Sequence, residues 1–291
     1  MKLFAFGLGY TALTLIEQHA GRFSHVAGTV RDAEKAGILR ARGIDAHEFG
    51  SPSALAALEG ADAILASIPP TAHETPEAVD PALAWLNDAG AQLSAGWIGY
   101  LSTIGVYGDH DGAWVDETAP TLTRIDRSRR RIIAEAAWLN HARAHGARGF
   151  VFRLPGIYGP GRNSLRDLAE GNARIVIKHG QVFNRAHVTD IAVALAATFP
   201  ADVAGGIYNV TDDEPATQGD VVTFGARLMG VAPPTPIPFE SAELSAMARS
   251  FHLENRRVDN AKLKALPAFS LTYPTYREGL TALFAVGEGR I

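Results

Sequence analysis

The 291-residue chain contains no cysteine, which excludes disulfide bonds and thiol chemistry. A zinc site would have to be built from histidines and carboxylates. An excess of basic charge is also lacking, because 27 Lys and Arg stand against 31 Asp and Glu, for a formal net charge of −4. Domains that bind nucleic acid are normally basic, so this charge balance disfavours a nucleic-acid partner.

Long apolar runs are missing too. The opening MKLFAFG is interrupted at Gly7, too early for the apolar segment of a signal peptide. No uninterrupted apolar stretch approaches the ~20 residues that a membrane-spanning helix needs. We therefore expect a cytoplasmic protein without a membrane partner. Its 47% hydrophobic and 20% charged residues are typical of a globular protein with a sizeable core.

Short apolar runs alternate with helical patterns through the first half of the chain. The runs predict strands over 3–6, 24–30, 44–49, 63–68, 97–101 and 149–153. The patterns between them predict helices over 11–20, 32–41, 52–58, 81–93 and 125–145. This alternation predicts an α/β fold, with a Rossmann-like, doubly wound parallel sheet over residues 1–154. Prolines and glycines then punctuate shorter elements, and we expect a small α/β lobe over 155–291, with segments near 181–210 returning to the core.

A glycine-rich segment lies between the first predicted strand and the first helix. Its pattern is Gly-x-Gly-x-x-Ala, in which Gly7 permits a tight turn, Gly9 lets the backbone approach a pyrophosphate and Ala12 allows close helix packing. The helix that follows would offer N–H groups and the positive end of its dipole. We predict that Gly7, Gly9, Tyr10, Thr11 and Ala12 bind a dinucleotide; the alternative is a turn that merely needs glycine.

The end of the second strand bears on which dinucleotide binds. An NAD site usually carries an acid there, whereas this chain has Thr29 and Arg31. A guanidinium matches a 2′-phosphate, and we assign the adjacent Asp32 to capping the next helix. NADP is therefore the predicted cofactor ahead of NAD. Ser67, in the fourth predicted strand, is also assigned to the cofactor site.

Several segments occur in an order that resembles a known superfamily. They are LSTIGVYGD (101–109), DETAP (116–120), RLPGIYGPG (153–161), RAHVTDIA (185–192) and YNVTDDEP (208–215), followed by NRRVDNAKLKAL and YPTYREGL. This ordered set resembles the extended short-chain dehydrogenase/reductase superfamily, in its NAD-dependent epimerase/dehydratase branch. The resemblance implies a Rossmann domain, a substrate lobe, and a nucleotide that lies across the carboxyl ends of the strands.

The resemblance also implies roles for individual residues. Thr103 matches the Ser or Thr that hydrogen-bonds the reacting carbonyl or hydroxyl. Pro155 and Gly156 match a loop that contacts the nicotinamide. His187 and Asp190 match a segment that packs near the substrate, and His187 is assigned to substrate binding.

The superfamily's catalytic pair, a Tyr and a Lys separated by three residues, is missing from the chain. Glu135 matches a glutamate that usually follows the Lys by four positions, which places Arg131 at the Lys position and Arg127 at the Tyr position. An arginine stays protonated and cannot act as the proton donor. We expect Arg131 to donate hydrogen bonds to ribose hydroxyls or a substrate anion, and Arg127 to bind substrate. Arg129 and Arg130 are expected in solvent.

Another residue would then have to handle the proton. Tyr107 is the first candidate and Tyr158, which is also assigned to substrate binding, is the second; for both, the alternative is an aromatic that packs in a loop. His187 has a suitable intrinsic pKa, with capping of its helix as the alternative. His141 and His145 have metal-ligand spacing, but without a third ligand a helix-dipole role is favoured and no metal is expected.

Two main hypotheses follow for function. The first is an NADP-linked oxidoreductase or epimerase-like enzyme acting on a small molecule. The second is a non-catalytic nucleotide-binding sensor or regulator that has lost the proton-transfer pair. A nucleic-acid-binding role for the arginine-rich helix is disfavoured by the net charge. The expected partners are a small-molecule substrate or ligand and a second copy of the chain in a homodimer.

Overall fold

The computed structural model describes residues 1–72, 80–91 and 93–290. The chain divides into two compact units. The first unit comprises Met1–Thr103, Asp126–Arg153 and Ala192–Tyr208, and the second comprises Ile104–Ile125, Leu154–Ile191 and Asn209–Ile291.

Strands and helices of the described residues follow each other in the alternating order that the sequence predicts. The strands are β1 (Lys2–Phe6), β2 (His25–Val30), β3 (Asp45–Glu48), β4 (Ala63–Ala66), β5 (Trp97–Thr103), β6 (Trp114–Val115), β7 (Arg148–Leu154), β8 (Gly156–Tyr158), β9 (Ile175–Ile177), β10 (Arg185–His187), β11 (Gly206–Asn209), β12 (Pro236–Pro238) and β13 (Arg257–Val258). The helices are α1 (Tyr10–Gln18), α2 (Ala33–Ala41), α3 (Pro52–Leu58), α4 (Pro81–Asp88), α5 (Asp126–Ala144), α6 (Ser164–Ala169), α7 (Val188–Ala197), α8 (Gln218–Met229), α9 (Ala246–Phe251), α10 (Ala261–Lys264) and α11 (Tyr276–Ala285).

The first unit is built on a seven-stranded, Rossmann-like sheet with the order β11-β7-β5-β4-β1-β2-β3. The pairs β1–β2, β1–β4, β2–β3 and β4–β5 are parallel. β1 and β4 are almost continuously buried, as expected for strands that are covered on both faces. Parallel strands place their carboxyl ends at one edge of the sheet, and the residues that follow β1, β2, β4 and β5 therefore share that edge.

Aromatic side chains fill the core of the first unit on the side of α5. Phe6 packs against Trp138 of α5, with ring centroids 6.2 Å apart, and Tyr100 of β5 stacks on the same indole at 6.2 Å. Because Tyr100 and Trp138 are both fully buried, this packing fixes α5 against β5. The helix is thereby held beside the carboxyl-terminal half of β5.

The second unit contains three two-stranded parallel ladders, which are β8–β10, β9–β12 and β6–β13. Its core includes Leu165, Tyr276, Leu280 and Leu283, on helices α6 and α11. The α/β class, the Rossmann-like sheet and the smaller carboxyl-terminal sheets agree with the fold predicted from sequence.

The element bounds differ from the predicted ones by only a few residues at most ends. Residue 92, within the predicted helix 81–93, lies outside the described residues, and α4 ends at Asp88. The predicted domain boundary at residue 154 adjoins the boundary after Arg153, and the segment 192–208 that groups with the first unit falls inside the predicted return at 181–210. Residues 104–125, which were predicted within the core, group with the second unit.

Among the described residues, no helix is long and apolar enough to cross a lipid bilayer.

Candidate functional site

The turn after β1 depends on glycine at position 7. Gly7 has a φ of +92°, in the region that favours glycine, and a Cβ atom there would lie 2.7 Å from Ser67 Oγ. Ser67 donates hydrogen bonds to the carbonyls of Gly7, at 2.6 Å, and Phe6, at 3.0 Å. Ser67, predicted to bind the cofactor, therefore supports the turn from its position directly after β4.

The amino terminus of α1 is open. Gly9 has extended backbone (φ −99°, ψ −170°), and a Cβ atom there would meet nothing within 4 Å. No side chain caps α1 and its first turn has no acidic residue. The first N–H groups of a helix have no intrahelical partner, so this end of α1 can donate to an anion. Thr11 and Ala12 are buried in the same turn and fix the helix against the sheet.

Thr29 shapes the turn from the side of β2. It is fully buried, its Oγ1 accepts a hydrogen bond from the Gly7 N–H at 3.1 Å, and its carbonyl accepts one from Leu8 N–H at 2.8 Å. Thr29 is predicted to bind the cofactor, and in the structure its buried hydroxyl holds the turn in place. Sequence reasoning missed Gly28, where a Cβ atom would lie 2.5 Å from the Ala5 carbonyl oxygen. A glycine inside a strand is the signal that could have indicated this close approach.

Arg31 follows β2 and is exposed. Within the described part of the chain it has no hydrogen bond or ion pair, so its guanidinium is available to a ligand. The neighbouring Asp32 caps α2, accepting from Lys35 N–H at 2.8 Å, which confirms the capping interpretation. The carboxylate nearest in sequence to the end of β2 is therefore engaged in the cap rather than presented to a ribose.

A buried ion pair ties α5 to β5 and β7. The carboxylate of Glu135 contacts the Arg153 guanidinium through two hydrogen bonds of 2.7 and 3.1 Å, and it accepts from Ser102 Oγ at 2.6 Å. Both charged side chains are only 5% exposed. Ser102 precedes Thr103, the half-buried last residue of β5, so this cluster holds the strand end that carries Thr103. Sequence reasoning used Glu135 only as a landmark and missed Ser102 and Arg153.

Arg131 lies against the same strand. Its Nη1 donates to the Tyr100 hydroxyl at 3.2 Å and also to the Leu101 carbonyl, and its Cζ is 5.6 Å from the centre of the Tyr100 ring. Burial raises the pKa of Tyr100 well above its ordinary value, so this phenol stays protonated. The guanidinium is therefore attached to β5 at Leu101, which lies two residues before Thr103.

The other arginines of α5 differ in exposure. Arg129 is exposed and lies 3.7 Å from the Asp126 carboxylate, as expected for a solvated helix face. Arg127 is half-buried. The expectation that Arg130 lies in solvent is wrong, because the residue is half-buried and its Nε is enclosed. Arg130 lies one turn before the buried Ala134, on the same side of the helix.

Tyr107 belongs to the second unit and is fully buried. Its hydroxyl donates to Asn209 Oδ1 at 2.7 Å, and the Asn209 N–H donates to Glu117 at 2.8 Å. These bonds connect three of the segments that carried the resemblance. They favour the packed-aromatic alternative for Tyr107 over a role as proton donor.

Tyr158, the second proton-donor candidate, is also buried in the second unit. It packs so closely on α11 that a Cβ atom at Gly279 would lie 2.1 Å from the Tyr158 hydroxyl. Burial raises the pKa of Tyr158 far above its ordinary value, with Asp212 and Asp190 adding to the effect. A phenol with such a pKa does not release its proton near neutral pH.

His187 caps α7. Its Nδ1 accepts from Thr189 N–H at 3.1 Å, and its ring packs 5.1 Å from that of Tyr158 and 4.2 Å from that of Tyr273. The side chain is 3% exposed, and burial lowers its pKa to about 4, so it is neutral at pH 7. The capping alternative is thus the one that the geometry favours.

Two other matched positions serve the loops of the second unit. Asp190 accepts the N–H groups of Thr272 and Tyr273 at 2.6 and 3.1 Å, and burial raises its pKa to about 6. Gly156 is exposed and donates its N–H to the Asn184 carbonyl at 3.2 Å, whereas the adjacent Pro155 is half-buried.

His141 and His145 stack with ring centroids 4.3 Å apart, and His145 Nδ1 lies 2.9 Å from the His141 carbonyl oxygen. Burial, with a smaller contribution from His145, lowers the pKa of His141 to about 4. Within the described residues, no group of three or more metal-ligating side chains converges.

A cavity of about 440 Å³ lies at the opposite edge of the sheet, where β1 and β2 begin, with Lys2, His25 and Glu59 in its lining. It shares none of the residues of the glycine-rich turn.

No protein-family model matches the chain. A 3-diazoavenalumate denitrifying reductase from a Streptomyces species is 29% identical over 143 residues, which are 45% of this chain and 46% of that protein. The chain therefore aligns with about half the length of this curated relative.

Solved structures match over the whole chain. A conserved protein of unknown function from Silicibacter pomeroyi DSS is 42% identical, with 99% of both chains covered and a TM-score of 0.87. A Methylobacillus flagellatus protein assigned to the NAD-dependent epimerases/dehydratases is 24% identical, with 98% and 97% covered and a TM-score of 0.68. The human epimerase family protein SDR39U1, solved with NADPH, is 19% identical, with 97% and 99% covered and a TM-score of 0.73. The chain thus belongs to the family of the Silicibacter pomeroyi protein and has the fold of the NAD-dependent epimerases/dehydratases, the extended short-chain dehydrogenase/reductase fold.

Proposed function

We propose that this protein is an NADP-binding enzyme of an atypical short-chain dehydrogenase/reductase type, an oxidoreductase or epimerase-like enzyme that acts on a small molecule. The observation that carries the proposal is the open amino terminus of α1 beside Gly9. A backbone that leaves free space at Gly9 and a helix end without a capping side chain suit a pyrophosphate.

The residues after β2 support NADP over NAD. Arg31 is exposed and able to pair with a 2′-phosphate, while Asp32 is engaged in capping α2. An NAD site would instead present a carboxylate to the ribose hydroxyls. The similar human structure solved with NADPH is consistent with this preference.

When bound, NADP(H) supplies hydride chemistry. In this proposal, Thr103 at the end of β5 hydrogen-bonds the reacting oxygen, and Arg131 orients the ribose or an anionic group of the substrate. Arg127 binds substrate without releasing a proton, because a guanidinium stays charged at working pH. Tyr107 is then a packing residue, and the proton comes from a group other than the arginines.

The reductase relative supports an oxidoreductase, since that protein is named for a reduction. A second candidate function, a nucleotide-binding sensor, is favoured by a different observation. By the resemblance, arginines stand at both positions of the catalytic pair, and the two proton-donor candidates, Tyr107 and Tyr158, are buried. Such a protein would keep nucleotide affinity without hydride transfer.

Hydride transfer separates the two candidates. NADPH oxidation should be followed with a panel of small carbonyl compounds, using the wild type and Thr103→Val. Turnover that is lost in Thr103→Val, with nucleotide affinity retained, supports the enzyme. Tight NADPH binding without oxidation by any compound of the panel supports the sensor.

The double variant Arg127→Tyr/Arg131→Lys restores the superfamily's pair and complements that test. Reductase activity gained by the variant supports a decayed or repurposed site. Strong wild-type activity that the variant loses shows that the arginines belong to a different working mechanism.

A further inference from the structure

Arg131 is anchored through one of its two terminal nitrogens. Nη1 makes both of the hydrogen bonds, to the Tyr100 hydroxyl and to the Leu101 carbonyl. Within the described part of the chain, Nε and Nη2 have no hydrogen-bond partner, and neither is among the enclosed polar atoms. One edge of the guanidinium is therefore committed to β5 and the opposite edge is left to solvent.

The edge that remains has a specific chemistry. Nε and Nη2 present two parallel N–H groups, which match the two oxygens of a carboxylate or phosphate. A lysine at this position would offer a single point charge without that geometry. No described carboxylate lies within ion-pair distance of Arg131, so its charge is not neutralised by a direct partner.

Tyr100 holds this edge in place. Its ring is fixed by stacking on Trp138, and both rings are fully buried. The hydroxyl can therefore orient the guanidinium with little loss of freedom on binding. Tyr100 does not itself reach solvent, so its effect on a ligand must pass through Arg131.

We infer that Arg131 is a receptor for a two-oxygen anion of the substrate, a carboxylate or a phosphate, and that Tyr100 is the residue that positions it. This inference rests on the proposed function and narrows its substrate class to anionic molecules. Arg131 would then differ in role from the lysine of the superfamily, because its Nε and Nη2 edge would bind the substrate rather than the ribose hydroxyls.

The test uses the whole protein saturated with NADP⁺ and three probes of similar size: benzoate, phenyl phosphate and neutral benzamide. Dissociation constants are measured by calorimetry or ligand-observed NMR. We expect benzoate or phenyl phosphate to bind better than benzamide, and Arg131→Ala to weaken the anion by about tenfold or more. Whichever of the two anions binds more tightly identifies the group. Arg129→Ala, an exposed arginine of the same helix, is the matched control and should change nothing.

Tyr100→Phe keeps the buried ring and removes only the hydroxyl. As a single substitution it should weaken anion binding several-fold. Added to Arg131→Ala it should have no further effect, because a positioning residue acts only through its partner. An equal loss in both backgrounds would show a merely structural role. The proposed anion receptor would be refuted if the anionic probes bound Arg131→Ala as tightly as the wild type. It would also be refuted if Arg131→Ala lowered the affinity for NADP⁺ instead of the affinity for the anion. Absence of NADP⁺ binding by the wild type would instead refute the proposed function, and benzoate titrated without nucleotide would still test Arg131.

Discussion

Replacing Gly9 with valine should abolish nucleotide binding and leave the fold intact. The extended backbone at Gly9 is one that valine readily adopts, and its Cβ would meet nothing within 4 Å. Gly9 is the half-buried N-cap of α1 and makes no side-chain capping bond, so the free energy of unfolding should fall by no more than about 1 kcal/mol. The valine methyl groups would occupy the space that a pyrophosphate needs above the α1 terminus.

The size of the thermal effect can be estimated. A ligand at one hundred times its dissociation constant stabilises the folded state by about 2.7 kcal/mol. For a chain of this size that corresponds to a rise in Tm of roughly 4–5 °C, which a thermal-shift assay resolves. In Gly9→Val the rise at the same NADP⁺ concentration should vanish, while the Tm without nucleotide should fall by only a few degrees at most.

Gly7→Ala is the matched control. It changes a glycine of the same turn, but one whose backbone conformation and close neighbours do not accommodate a side chain. Its φ of +92° costs an alanine about 1–2 kcal/mol, and the added Cβ would lie 2.7 Å from Ser67 Oγ. The Tm of Gly7→Ala should therefore fall even without nucleotide. A full nucleotide-induced shift in Gly9→Val would refute the placement of the pyrophosphate.

Three further predictions concern the cofactor preference, the buried ion pair and the capping histidine. Arg31→Ala should weaken the binding of NADP⁺ about ten- to a hundredfold and barely affect the binding of NAD⁺. Calorimetry that shows equal losses of affinity for the two nucleotides would refute the assignment of Arg31 to the 2′-phosphate. Glu135→Ala removes the carboxylate that the buried Arg153 contacts and should lower the free energy of unfolding by about 3–5 kcal/mol in urea titrations; a loss below about 1 kcal/mol would contradict a tight pair. His187 has a folded pKa of about 4, below the ordinary value of 6.5, so the unfolded chain binds its proton first as the pH falls. Its contribution to stability is complete above about pH 6.5 and is lost as the pH falls towards 4. The free energy of unfolding of the wild type should therefore fall over that range relative to that of His187→Asn. A difference between the two that does not change with pH would contradict the buried, neutral ring.

Local patterns predicted much of the first unit. The nearly continuous apolar runs of β1 and β4 indicate strands that are covered on both faces, and the glycine spacing after β1 indicates a turn into a helix. Asp32 could be recognised as a cap from its position alone. These features depend on neighbours within a few residues, which the sequence displays directly.

Contacts between distant residues decided the rest. Thr29 turns its hydroxyl to Gly7 because of the register of β1 and β2, and Tyr107 donates to a residue 102 positions away. Arg131 is anchored by Tyr100 and Leu101 on another element, which a helical wheel of α5 alone does not reveal. The roles of these side chains follow from tertiary packing rather than from their local sequence.

The most direct test of the account is a crystal structure of the protein with NADP⁺. We expect the pyrophosphate over the N–H groups at the start of α1, beside Gly9, and the 2′-phosphate on the Arg31 guanidinium. A nucleotide bound elsewhere, with Gly9 and Arg31 making no contact to it, would contradict an NADP site at the start of α1.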